Sequence, residues 1–112
     1  MTPDETAAAE RQIRTRLAEI AAEEAETAAD RAPVTLDQQS VGRLSRMDAM
    51  QVQAMAAAQS RRRSAERLRL EGALARIADG SFSECKECGE EIAPKRLALD
   101  PGQTRCIDCA RG

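Results

Sequence analysis

Cys85-Lys86-Glu87-Cys88 and Cys106-Ile107-Asp108-Cys109 write a C-x2-C-x17-C-x2-C pattern into the last third of the chain. No other feature restricts its folding as tightly. Each C-x2-C turn points two sulfurs at one centre, and two such turns complete a tetrahedron of the kind that holds zinc. Gly89, next to Cys88, supplies the permissive backbone that so tight a turn needs. Four thiolates leave no open position for water, so one Zn2+ held by Cys85, Cys88, Cys106 and Cys109 is structural and not hydrolytic. Such a metal also replaces a missing core. The large apolar side chains between residues 80 and 112 are Phe82, Ile92, Leu97, Leu99 and Ile107, too few to fold that stretch unaided. Two disulfides or a redox dithiol are the alternatives. The first lacks an export signal and the second lacks a βαβ context.

The rest of the 112 residues reads as helix. Alanine accounts for 22 of them and Phe82 is the single aromatic, a composition that suits helices packed side by side and fills no deep pocket. With no histidine in the sequence, Ser-His-Asp and Cys-His catalysis and histidine metal sites drop out, and an enzyme is not expected. No apolar run is long enough to span a bilayer and no signal peptide is legible, so a cytoplasmic location is expected.

Ile13, Leu17 and Ile20 mark a first amphipathic helix over residues 4–29, with Asp4 and Glu5 behind Pro3 at its positive end. Pro33 ends it. Thr35 with Gln38 forms a capping box for a second helix over 36–78, or Asp37 caps it instead. Val41, Leu44, Met47, Met55, Ala58, Ala65, Leu68, Leu74 and Ile77 recur along that helix at steps of three and four or their multiples, and Asp79-Gly80 stops it. The expected fold is mainly α, with a long antiparallel helical hairpin, or coiled coil, followed by a small four-cysteine zinc finger. The hairpin spans 1–79 with its tip near 30–48, and the finger spans 80–112.

Net charge is only -2. Residues 1–30 are acidic, 31–78 basic and 79–112 slightly acidic, so an overall basic footprint for nucleic acid is missing.

A helical hairpin followed by Cys88-Gly89-Glu90-Glu91-Ile92, Lys95-Arg96-Leu97 and Cys106-Ile107-Asp108-Cys109 resembles the DksA/TraR family of bacterial transcription regulators. The resemblance covers residues 36–109 by motif and the first helix by architecture. It implies a protein that binds RNA polymerase and not DNA, laying its hairpin into the secondary channel so that the tip nears the catalytic magnesium. Strongly regulating relatives carry D-x-x-D-x-A at the tip, and this chain does not. Gapless counting from Cys85 puts Ser45 and Met47 at the second aspartate and the alanine, which leaves Asp48-Ala49 or Asp37 as the candidate tip residues. In the family an arginine at the equivalent of Arg62 contacts the polymerase, so Arg62 is the expected partner contact within Arg61-Arg62-Arg63.

Binding of the alarmone guanosine tetraphosphate is not expected. Arg69 keeps a basic position used by relatives that bind it, but Asp100 and Ala110 replace two others. A monomer is expected. The rival readings are a zinc module that binds nucleic acid directly and a protein adaptor.

Overall fold

The computed structural model describes residues 1–32 and 43–112. Among these the chain forms five helices, α1 Pro3–Glu26, α2 Ala28–Arg31, α3 Arg43–Asp79, α4 Pro94–Leu99 and α5 Ile107–Arg111. An antiparallel bridge between Glu84 and Glu91 is the one β pairing among the described residues. The chain divides into two compact units, one made of Met1–Ala18 with Glu66–Gly112 and the other of Glu19–Ala65. The mainly helical class read from the sequence is borne out.

α1 starts with a reciprocal capping box that the sequence reading passed over. The Thr2 Oγ1 accepts from the Glu5 amide at 3.1 Å, and the Glu5 Oε1 accepts from the Thr2 amide at 3.0 Å. Pro3 at the first helical position has no amide hydrogen to leave unpaired. The helix ends earlier than residue 29 because Thr27 interrupts it. The Thr27 amide still reaches the Glu23 carbonyl at 3.1 Å, its hydroxyl adds a second bond to the same oxygen at 2.8 Å, a back-bonding that bends a helix, and α2 follows as a separate turn.

Burial along each helix recurs every three and four residues. On α1, Ala9, Ile13 and Ile20 are buried and Thr6, Arg16, Glu23 and Thr27 are half-buried. On α3, Ala56, Leu70 and Ala73 are buried, with Arg63, Glu66 and Ile77 half-buried. Both sets follow a seven-residue repeat, the pattern of a coiled-coil seam. The α3 stripe expected from the sequence lies largely on another face: Met47, Met55 and Leu68 are 58, 62 and 62% exposed. Alanine explains the difference. Ala56 and Ala73 allow close backbone approach without a size signal in the sequence, while Met47, Met55 and Leu68 point outward.

Polar pairs fill the rest of the seam. In Glu19–Ala65, the Arg63 Nε donates to Glu24 Oε1 at 2.6 Å and the Ser60 hydroxyl to Glu24 Oε2 at 3.0 Å. Further along, the Gln53 amide donates to the Ala32 carbonyl at 3.0 Å. Partner numbers rise on one helix as they fall on the other, so the two run antiparallel in this unit. In the other unit, Arg16 and Glu66 form a two-bond ion pair at 2.8 Å. The Arg63 and Arg16 guanidiniums hold the Glu24 and Glu66 carboxyls below the usual glutamate range.

α3 stops where the sequence indicated. Gly80 takes a φ of 84° and donates to the Ile77 carbonyl at 3.3 Å, while the Ser81 amide reaches the Arg76 carbonyl at 2.9 Å. These two bonds make a Schellman motif, and the left-handed residue at its centre favours glycine. The start of the second helix expected near Leu36, with its Thr35 and Asp37 caps, lies outside the described residues.

Candidate metal centre and partner-binding residues

Each cysteine is carried by a short turn whose bonds are local. The Cys85 amide donates to the Glu90 carbonyl at 2.7 Å and the Gly89 amide to the Cys85 carbonyl at 2.9 Å, closing the first knuckle around Gly89, whose φ is 77°. The Lys86 amide donates to the Thr104 carbonyl at 2.8 Å, which ties that knuckle to the stretch of chain entering the second. Cys106 precedes α5 and Cys109 lies within it. Under the knuckles, Ile92 and Leu97 are wholly buried and Phe82 nearly so. Leu99 and Ile107, counted with them from the sequence, are instead 88 and 50% exposed.

The finger is fixed to the parts of both long helices that belong to its own unit. The Gln12 amide donates to the Ala98 carbonyl at 3.0 Å, and Arg69 pairs with Asp100 at 2.6 Å. Asp100 also accepts from the Gly102 amide at 3.0 Å and the Gln103 amide at 3.2 Å.

All four Sγ atoms lie within 4.8 Å of one another, and Cys88 and Cys106 approach to 3.6 Å. A disulfide needs about 2.05 Å, and the cysteines are free. Zn–S bonds of about 2.3 Å in a tetrahedron place sulfurs roughly 3.8 Å apart, so the cluster has the dimensions of a zinc site with four cysteine ligands. Its chemistry points the same way. Amides of Cys106 and Cys88 donate to the Cys85 sulfur and bring its thiol down to about 6. Cys109 is pushed far upward by the crowding thiols of Cys106, Cys88 and Cys85. Four thiolates therefore cannot coexist there without a dication to neutralise them. Cys85, Cys88, Cys106 and Cys109 hold one structural zinc, as the sequence spacing indicated.

The other expected site residues fall as follows. Asp48 and Ala49 are exposed on α3, and Asp37 lies outside the described residues. The arginine run divides in two. Arg63 turns inward to Glu24, with its side chain 12% exposed, whereas Arg61 and Arg62 are exposed and enter no ion pair among the described residues. Sequence alone gave no signal for that division, which follows from the seven-residue repeat through Ala56, Arg63 and Leu70. Among the described residues no helix is long and apolar enough to cross a membrane.

Residues 80–112 match the family model described as the prokaryotic dksA/traR C4-type zinc finger. The structure is similar to that of the transcription factor DksA2 from Pseudomonas aeruginosa, with a TM-score of 0.75 and 23% sequence identity over 99% of this chain and 84% of that one. No curated protein matches the chain by sequence. Finger and fold together bear out the family resemblance carried by the cysteine motifs.

Proposed function

We propose that this DksA/TraR-family protein is a non-enzymatic transcription regulator, which binds RNA polymerase in its secondary channel through the paired helices and alters initiation without binding DNA. The observation that carries the reading is the pairing of a dksA/traR-type finger with a fold similar to DksA2 along nearly the whole chain. Its place of action is then the bacterial cytoplasm, where the polymerase works. Asp48 and Ala49, or Asp37, are the tip residues of this reading, and Arg62 is the contact at the channel rim. Exposure and the lack of an ion-pair partner among the described residues leave Arg62 available for an acidic group on the polymerase.

Three features weigh against nucleic acid as the direct target: the net charge of -2, the single aromatic residue, and the acid-rich finger. Guanosine tetraphosphate is not part of the proposed activity. Asp100 already engages Arg69 at 2.6 Å, and a carboxylate at that position repels a pyrophosphate.

Co-purification with RNA polymerase tests the proposal. Arg62→Ala is expected to weaken binding, whereas Asp48→Ala or Asp37→Ala is expected to retain binding and lose the effect on initiation. Wild-type protein that fails to bind polymerase, or binding indifferent to all three changes, contradicts the reading.

A further inference from the structure

Asp48, Met55 and Arg62 stand seven residues apart on α3, and all three are exposed. Seven residues are nearly two helical turns, so the three side chains follow one line, with about 10 Å between neighbours. The line lies away from α1. In Glu19–Ala65 the inward side of α3 is marked by buried Ala56 and by Ser60 and Arg63 on Glu24, a direction roughly 110° around the helix from Met55.

The sequence on this outward line is symmetric in character about Met55. Val52 and Ala58 lie three residues to either side, Gln51 and Gln59 four, and Asp48 and Arg62 seven. Met55 and Val52 are 62 and 54% exposed. Asp48 and Arg62 take part in no ion pair among the described residues. A two-fold axis at Met55 therefore sets apolar against apolar, amide against amide and acid against base. A parallel pairing instead opposes Asp48 to Asp48 and Arg62 to Arg62.

We infer that this face of α3 is a self-complementary docking surface for a second copy of the chain, paired antiparallel about Met55 and closed by two reciprocal Asp48–Arg62 ion pairs. Charge complementarity selects both the occupant and its direction. Methionine at the axis suits such a contact, because its flexible thioether adapts to the opposing surface. The strip is one helix face about 21 Å long from Asp48 to Arg62, well short of a standard interface, so the pair is weak and forms only in concentrated protein. Pairing covers Asp48 and Arg62. If the polymerase reading is correct, the paired form cannot engage polymerase through them.

Sedimentation equilibrium on the full zinc-loaded chain, over a concentration series up to about 1 mM, reads the association, with circular dichroism confirming that each variant is folded. Asp48→Arg and Arg62→Asp should each weaken self-association by about tenfold or more, because each places two like-charged pairs across the axis. An equimolar mixture of the two variants should restore association to at least the wild-type level, since every opposed pair in the mixed dimer is then of opposite sign. Met55→Glu should abolish it. A wild type that stays monomeric throughout, or a mixture no more associated than its components, overturns the inference. If charge reversal leaves the monomer unchanged and weakens polymerase binding alone, the face belongs to the polymerase and the inference also fails. Because self-association is read without polymerase, its failure is distinct from failure of the regulatory reading.

Discussion

Between Glu19 and Ala65 the buried apolar side chains among the described residues are Ile20 and Ala56, whereas the unit formed by Met1–Ala18 and Glu66–Gly112 buries Ala9, Ile13, Leu70, Ala73, Phe82, Ile92 and Leu97, together with Cys85 and Cys106. The first is held by alanine contacts and by carboxylates answered with guanidiniums, notably Glu24 with Arg63 and Arg31. The second adds a cluster of sulfurs that needs a metal to exist as thiolates. One sequence thus uses two ways of compensating for a shortage of large apolar residues, and they should respond to different perturbations.

Removing the metal is the harshest way to separate them. Chelation, or Cys85→Ser, should unfold residues 80–112, because structural zinc contributes on the order of 10 kcal/mol to a small finger. Amide resonances of Ile20–Glu26 and of Arg43–Ala65 should keep their helical shifts in the same sample. Simultaneous collapse of both sets would show that the two units depend on one metal.

Burial gives the next largest contrast. Ile13→Ala should cost roughly 2–5 kcal/mol in chemical denaturation, since that side chain is wholly buried. Met55→Ala should stay within about 0.5 kcal/mol in dilute protein, because its side chain faces solvent. Equal costs would place Met55 in the seam after all. Gly80→Ala should cost roughly 1–2 kcal/mol by forcing a side chain into the left-handed region, and should loosen the junction between α3 and the finger. Thermal melts of the zinc-loaded protein read that loss.

Acid has the mildest expected effect. The Arg63 and Arg16 partners lower the Glu24 and Glu66 values below their ordinary 4.5. Folding is therefore stabilised by these groups above that value, and the stabilisation fades as pH falls through the lowered folded values. Both carboxylates keep about a third of their side chains in contact with solvent, which screens the pairs, so the change is small. Far-ultraviolet circular dichroism followed from neutral to acid pH should show a gradual loss of helix that Arg63→Ala flattens. A profile unchanged by that substitution would remove the pair from the account.

The metal centre was fully legible in the sequence, because ligand type and spacing are local and Gly89 sits in the tight turn the motif requires. The helical class was legible for a similar reason: alanine content and long stretches without proline leave few alternatives. Helix orientation was not. Met47, Met55 and Leu68 carry the strong hydrophobic signal and face outward, while Ala56 and Ala73 carry a weak one and face inward. A seam of alanine and ion pairs does not announce itself by side-chain size. The short helices α4 and α5 also went unread, since their folding rests on the metal and on buried Leu97 more than on their own propensity. The first turn of α1 was within reach, as Thr2 and Glu5 have capping-box spacing.

The measurement that bears most directly on the account is a paired count of metal and free thiol in freshly purified protein. One zinc per chain is predicted, with four thiols that react freely only after the metal is released. Protein without zinc, or with fewer than four thiols on denaturation without reductant, would contradict the metal-held finger and the regulatory reading built on it.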